Sequence, residues 1–173
     1  MPRLNLRKNS ADGEGKFQKI DDLQTNLICN PKGLHFVDMN ADGLDDCVCI
    51  SPEGDLHVSL NEGNGSGDKL PTFKHIGLVK ESEGVQALVR LADIDGDGRA
   101  DYGVVDKETG AVSFWRNAWV EDKARWEALG VRATIEAPSK GSENFPEIRF
   151  EDVNGDVSST IAARHVVFAF GGY

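Results

Sequence analysis

Short runs of alternating apolar and polar residues fill most of this chain, separated by clusters rich in Asp, Asn and Gly. Alternation with a period of two predicts half-buried strands, and the polar clusters predict the turns between them. Three segments share one pattern: LHFVDMNADGLDDCVCI at 34–50, VRLADIDGDGRADYGVV at 89–105 and IRFEDVNGDVSSTIAAR at 148–164. Their first aspartates, Asp38, Asp93 and Asp152, are spaced by 55 and 59 residues.

The flanks repeat as well. After the first loop come CVCIS, the turn PEGD and LHVSLN; after the second come YGVVD, the turn KETG and AVSFWRN. Both turns have the polar, glycine-containing chemistry of a hairpin. A further strand recurs as FQKIDDL from Phe17, FKHIGLV from Phe73 and WEALGV from Trp126. The unit is therefore four short strands: one before the loop, two after it and one outer strand. Four strands at this period predict an all-β chain of β-propeller-type blades, about three per chain. No helix is required. Residues 1–14 read as a flexible N-terminus and residues 15–173 as one repeat domain, with repeat loops at 38–46, 93–101 and 152–160. The third unit shows no recognisable second hairpin strand and no outer strand of its own.

The loops carry the candidate chemistry. They read D-x-N-x-D-G-x-x-D from Asp38 and D-x-D-x-D-G-x-x-D from Asp93. Oxygen side chains at positions one, three and five can wrap one hard cation, and glycine at six permits the sharp turn. The carbonyl at seven and the carboxylate at nine complete a shell that suits Ca²⁺, which takes six to eight oxygens in flexible geometry. The expected ligands are Asp38, Asn40, Asp42, the Leu44 carbonyl and Asp46 in the first loop. In the second they are Asp93, Asp95, Asp97, the Arg99 carbonyl and Asp101. The third loop keeps Asp152, Asn154 and Asp156 but has Val157 for the glycine and Thr160 for the last aspartate. An EF-hand would need Glu at position twelve, where Cys49, Val104 and Ala163 stand instead.

Loops and flanks together resemble the FG-GAP/VCBS repeat family, which includes the calcium-bearing blades of integrin α-subunits. The nearest likeness is to fungal FG-GAP repeat proteins, some of which join the repeats to an SGNH (GDSL-type) hydrolase domain. The segment VRLADIDGDGRADYGVVDKETGAVSFWRN looks very like one such blade. The resemblance implies calcium held on the loops as a structural staple and an extracellular setting; it implies no single activity.

Charge and the remaining residues narrow the partners. With 19 Lys+Arg against 29 Asp+Glu the formal net charge is −10, which argues against a nucleic-acid partner. No stretch approaches the ~20 apolar residues of a membrane span. The opening MPRLNLRKNSADGEG lacks the apolar core of a signal peptide, as in an intracellular protein or a piece of a longer chain. The Gly-Asp-Ser and Asp-x-x-His segments of an SGNH site are absent from the sequence, and His35, His57, His75 and His165 each read as ordinary strand side chains. Cys47 and Cys49, two apart in an apolar run, read as buried small hydrophobes on one strand face. A Cys29–Cys47 bridge is compatible with the sequence, which does not decide it. Trp115 and Trp126 read as blade-core residues, whereas Trp119, outside the strand pattern, is the candidate for contact with a ligand. The reading is a binding or adhesion module for a carbohydrate or protein, more than an enzyme. The two chain ends look like complementary parts of one blade. That predicts a homodimer closing a six-bladed ring, or a place in a longer chain.

Overall fold

The computed structural model describes residues 6–9, 17–20, 23–65, 69–121, 123–135, 148–151, 160–163 and 166–168. Their regular structure is all β-strand apart from one 3₁₀ turn. Two antiparallel four-stranded sheets form the centre. The first orders β3 (Leu34–Val37), β4 (Asp46–Ile50), β5 (Leu56–Asn61) and β6 (Phe73–Lys80). The second orders β7 (Val89–Ala92), β8 (Asp101–Val105), β9 (Ala111–Asn117) and β10 (Trp126–Thr134). Each is one repeat unit with the strand order expected of a blade, and a single 3₁₀ turn at Gln86–Leu88 leads into the second. Before them, β1 (Leu6–Asn9) pairs with β2 (Phe17–Ile20), so the stretch expected to be flexible holds a strand. After them, β11 (Ile148–Glu151), β12 (Thr160–Ala163) and β13 (Val166–Phe168) form a three-stranded sheet. The third unit thus has the second hairpin strand that its sequence had not revealed. Arg164 and His165 leave too short a polar gap between two apolar runs to read as a turn.

The hairpin glycines show why the two units repeat so closely. Gly54 and Gly110 sit at φ 107° and 73°, a region that costs an L-residue roughly 1–2 kcal/mol. Each also touches the chain that follows: a Cβ on Gly54 would lie 1.8 Å from the Gly84 carbonyl oxygen, and one on Gly110 2.2 Å from that of Ile135. The turn is therefore both the hairpin and the seat for the next segment.

Strand alternation sends two faces of each sheet to different neighbours. Val48, Ile50, Leu56 and Val58 of the first sheet are at most 1% exposed and join Val89, Tyr102 and Trp119 in one core. Burying such side chains stabilises by about 1.5–3 kcal/mol each. The opposite face of the second sheet puts Val105, Val112 and Phe114 in another core with Ile135, against which Phe150 of β11 packs. The Phe114 and Phe150 rings meet edge to face at 5.3 Å. Gly103 makes room for Phe114, since a Cβ there would lie 2.6 Å from its ring. Hydrogen bonds tie the first two sheets at several levels: the Tyr102 hydroxyl donates to the Gly54 carbonyl at 3.0 Å, and Trp126 Nε1 to the Val79 carbonyl at 2.8 Å.

Two expectations are corrected here. Trp119 is 4% exposed and belongs to the first core, so its ring presents no face to a ligand. Trp115 and Trp126 do pack against that core, with Lys80 Nζ 4.8 Å above the Trp115 ring and 4.9 Å above that of Tyr102. The cysteines also pair differently. Cys29 is bonded to Cys49, with Cα atoms 5.6 Å apart, and Cys47 is the buried free thiol. Cys47 and Cys49 share a face as expected, but residues 23–30 cross that face. They place Cys29 at Cys49 and buried Thr25 in hydrogen-bond contact with Cys47. Asn26 Nδ2 donates to the Phe73 carbonyl at 2.8 Å and fixes the same segment to the outer strand β6.

Candidate metal centre

The two complete loops lie at one end of their sheets, between the first and second strand of each unit. In both, the first aspartate organises the turn. Asp38 Oδ1 accepts from the Asn40 and Ala41 amides at 3.1 and 2.7 Å, and its Oδ2 from Gly43 at 2.8 Å. Asp93 Oδ1 and Oδ2 accept from Gly96 and Gly98, both at 2.8 Å. Positions three and five fold back in the same manner. Asn40 Oδ1 accepts from Asp42, and Asp42 Oδ1 from Leu44; Asp95 Oδ1 accepts from Asp97, and Asp97 Oδ1 from Arg99. Such Asx turns explain the Asp/Asn spacing locally.

The glycine at position six takes positive φ in both loops, 81° at Gly43 and 85° at Gly98. A second left-handed residue, at position four, is Gly96 with φ 78° in one loop and Ala41 with φ 61° in the other. Sequence reading had placed the demand for glycine at position six alone.

The ninth-position aspartates hold elements of the fold together. Asp46 and Asp101 are both 0% exposed. Asp46 accepts from the Met39 amide at 2.9 Å and the Asn61 amide at 2.7 Å. Asp101 accepts from Ile94 at 3.1 Å and Asn117 at 2.7 Å. Each carboxylate joins the start of its own loop to the end of the third strand of its sheet. Burial pushes the Asp46 carboxyl up to about 6 and the Asp101 carboxyl up to about 7, against the pull of these amides. Neighbouring Asp42 and Asp38, or Asp95 and Asp97, push the same way. Burial also raises the Asp93 carboxyl.

Among the described residues, one group of three metal-ligating side chains has oxygens all within 4.8 Å of one another: Asp93, Asp95 and Asp101. The sequence grouped these with Asp97, but the Asp97 carboxylate is turned to Arg99 and Arg116 instead. In the first loop Asn40 Nδ2 donates to Asp42 Oδ2 at 3.1 Å, and Asp38, Asp42 and Asp46 do not form such a group. Leu44 and Arg99 occupy position seven of the two loops, where their amides close the Asx turns. Asp152, Asn154 and Asp156 lie outside the described residues, and Thr160 opens β12.

The three-oxygen group fits a hard divalent ion in the nature of its donors, all carboxylate, and in its charge. A buried carboxylate held near neutral pKa by desolvation is one that a cation would return to its ionised form.

Asn61, Arg116 and Asn117 escaped the sequence reading. Asn61 and Asn117 end the same strand of both units, LHVSLN and AVSFWRN, and that recurrence was the available signal. The Asn117 side chain is fully buried and donates to the Met39 carbonyl at 2.8 Å and the Ala100 carbonyl at 3.2 Å. The Ala100 amide donates to the Asp38 carbonyl at 2.8 Å. The second loop is thereby hydrogen-bonded directly to the first.

No curated protein matches the chain. Residues 38–104, from the first aspartate of the first loop into β8, match the family model for an FG-GAP-like repeat.

Proposed function

We propose that this chain is a calcium-stabilised repeat module of the β-propeller type that acts by binding a carbohydrate or a protein. The observation that supports it is the convergence of Asp93, Asp95 and Asp101 oxygens within 4.8 Å on a loop that also bonds to its neighbour. In this reading calcium is a staple, holding the ends of two sheets so that the surface between the blades keeps its shape. The Cys29–Cys49 bridge supports an oxidising setting for the module. The reading also makes the chain one arc of a closed ring, completed by a second copy or by further chain.

Ion binding to the folded state alone stabilises it, by about 2.7 kcal/mol at a hundredfold excess over Kd. Calcium should therefore raise the melting temperature of chelator-treated protein, with a calorimetric binding isotherm to match. A melt indifferent to calcium, with no heat of binding, overturns the metal reading. A glycan array read with and without chelator tests the binding role: calcium-dependent capture supports it. Turnover of a small ester by the same preparation would instead favour a propeller-scaffold enzyme or an accessory part of an SGNH-type hydrolase.

A further inference from the structure

Asp97 stands outside the three-carboxylate group, and two arginines account for its position. Arg99 Nη1 lies 3.1 Å and Arg116 Nη2 3.0 Å from the same oxygen, Asp97 Oδ2. Arg116 Nε lies 2.6 Å from Asp95 Oδ2, although its N–H is not aimed for a hydrogen bond. One guanidinium therefore spans the carboxylates of positions three and five. It is held there by its place on β9, one residue before the Asn117 whose amide anchors Asp101. The Asp97 side chain is only 17% exposed, so the pair is less screened than one in open water. The first unit has no counterpart. Leu60 precedes Asn61, and Leu44 takes the place of Arg99.

We propose that Arg116 is a built-in counter-cation for the second loop, which holds Asp95 and Asp97 by its own charge and competes with calcium for them. This rests on the reading of that loop as a calcium site. A cation entering the group either displaces the guanidinium or binds beside it with Asp97 left out; both weaken binding through like-charge repulsion and a lost ligand. The same contact neutralises the loop in the absence of metal. The two loops thus differ in kind: the first has leucines where the second carries its own positive charge.

The test compares Arg116→Leu, Arg116→Gln and Arg116→Lys with the parent, each in an Asp42→Ala background that removes a candidate ligand from the first loop only. Calcium is titrated calorimetrically at low salt, and each protein is melted in EDTA. The neutral Leu and Gln variants are expected to bind calcium about tenfold more tightly, the effect of one unit charge removed a few ångströms away. They are also expected to melt lower in EDTA, while Lys stays near the parent. Leu or Gln variants that fold but bind no tighter overturn the proposal, and so does a Lys variant that tightens as much as Gln. If Leu fails to fold, Gln alone decides. If no protein in the series binds calcium, the metal reading falls with it; calcium binding that is equal across the series removes the role of Arg116 and leaves the metal reading standing.

Discussion

Asp101 and Asp97 differ by four positions in one loop and by a great deal in what they hold. Asp101 is fully buried and accepts from two backbone amides, that of Ile94 at the start of its own loop and that of Asn117 at the end of β9. Asp97 pairs with two arginines near the surface. Truncating Asp101 leaves the buried Asn117 amide and the part-buried Ile94 amide without their acceptor, at about 1–3 kcal/mol for a buried donor, whereas a partly exposed ion pair contributes less than about 1 kcal/mol. In EDTA, Asp101→Ala should therefore lose on the order of 3 kcal/mol in urea unfolding and Asp97→Ala far less. Equal losses would remove Asp101 from its place as the joint between loop and strand. The raised carboxyls of Asp46 and Asp101, at about 6 and about 7, give a pH dependence with a definite sign. A carboxyl whose folded pKa lies above its unfolded value binds protons more tightly when folded. Its contribution is full below the unfolded value and fades as pH rises through 6 to 7. Chelated protein should gain stability from these groups as pH falls from about 8 to about 4. Calcium wants them ionised, so its affinity should fall over the upper part of the same range. Melting curves against pH, with and without calcium, would show two opposite slopes.

Among the elements, the segment 23–30 departs furthest from the repeat pattern. It crosses the outer face of the first sheet, where a preceding blade would pack in a longer array, and the Cys29–Cys49 bridge pins it there. A cross-link closing a loop of this length stabilises by about 3 kcal/mol in the chain-entropy picture. Cys29→Ser should lower stability by about that amount, and reduction of the parent should do the same. In unreduced, denatured protein a thiol reagent should count one free thiol, Cys47; a count of three would mean that the bridge is absent. Burial pushes the Cys47 thiol pKa up, so in the folded protein it should resist alkylation.

For the whole molecule, the question is what meets the two ends. The third sheet has three strands among the described residues, and β13 leaves one edge unpaired there. Among the described residues, β2 pairs with β1 alone. Open strand edges favour pairing, and the closed ring proposed above, as a C₂ assembly, would cover both edges at once. Sedimentation with calcium present should give twice the 18.8 kDa chain mass. Removing residues 1–20, which carry β1 and β2 but leave Thr25, Asn26 and Cys29 in place, should return it to the single mass. A monomer at micromolar concentration would exclude the dimeric ring, and a truncated dimer would place the joint elsewhere.

Local pattern was enough for the strands and the blade order of the two central sheets and for the position of their loops, though not for β1 or β13. Alternation, turn glycines and Asp spacing act over a few residues, and repetition made each of them visible twice. Phe17, Phe73 and Trp126 were each expected to open a strand, and each does. The Asp spacing of the second loop grouped Asp93, Asp95, Asp97 and Asp101, and three of these, Asp93, Asp95 and Asp101, bring their oxygens together. Tertiary structure decided whatever depended on a partner distant in sequence. Trp119 could be placed in the core only by the packing of two sheets around it. Cys49 rather than Cys47 found Cys29 because of where an irregular segment crosses a face, and irregular backbone has no period to read. Asp97 left its expected group because Arg116, 19 residues on, reaches it from a neighbouring strand. Side chains that meet through pairing between strands carry no local signature, and so the character of the second loop is fixed by the fold.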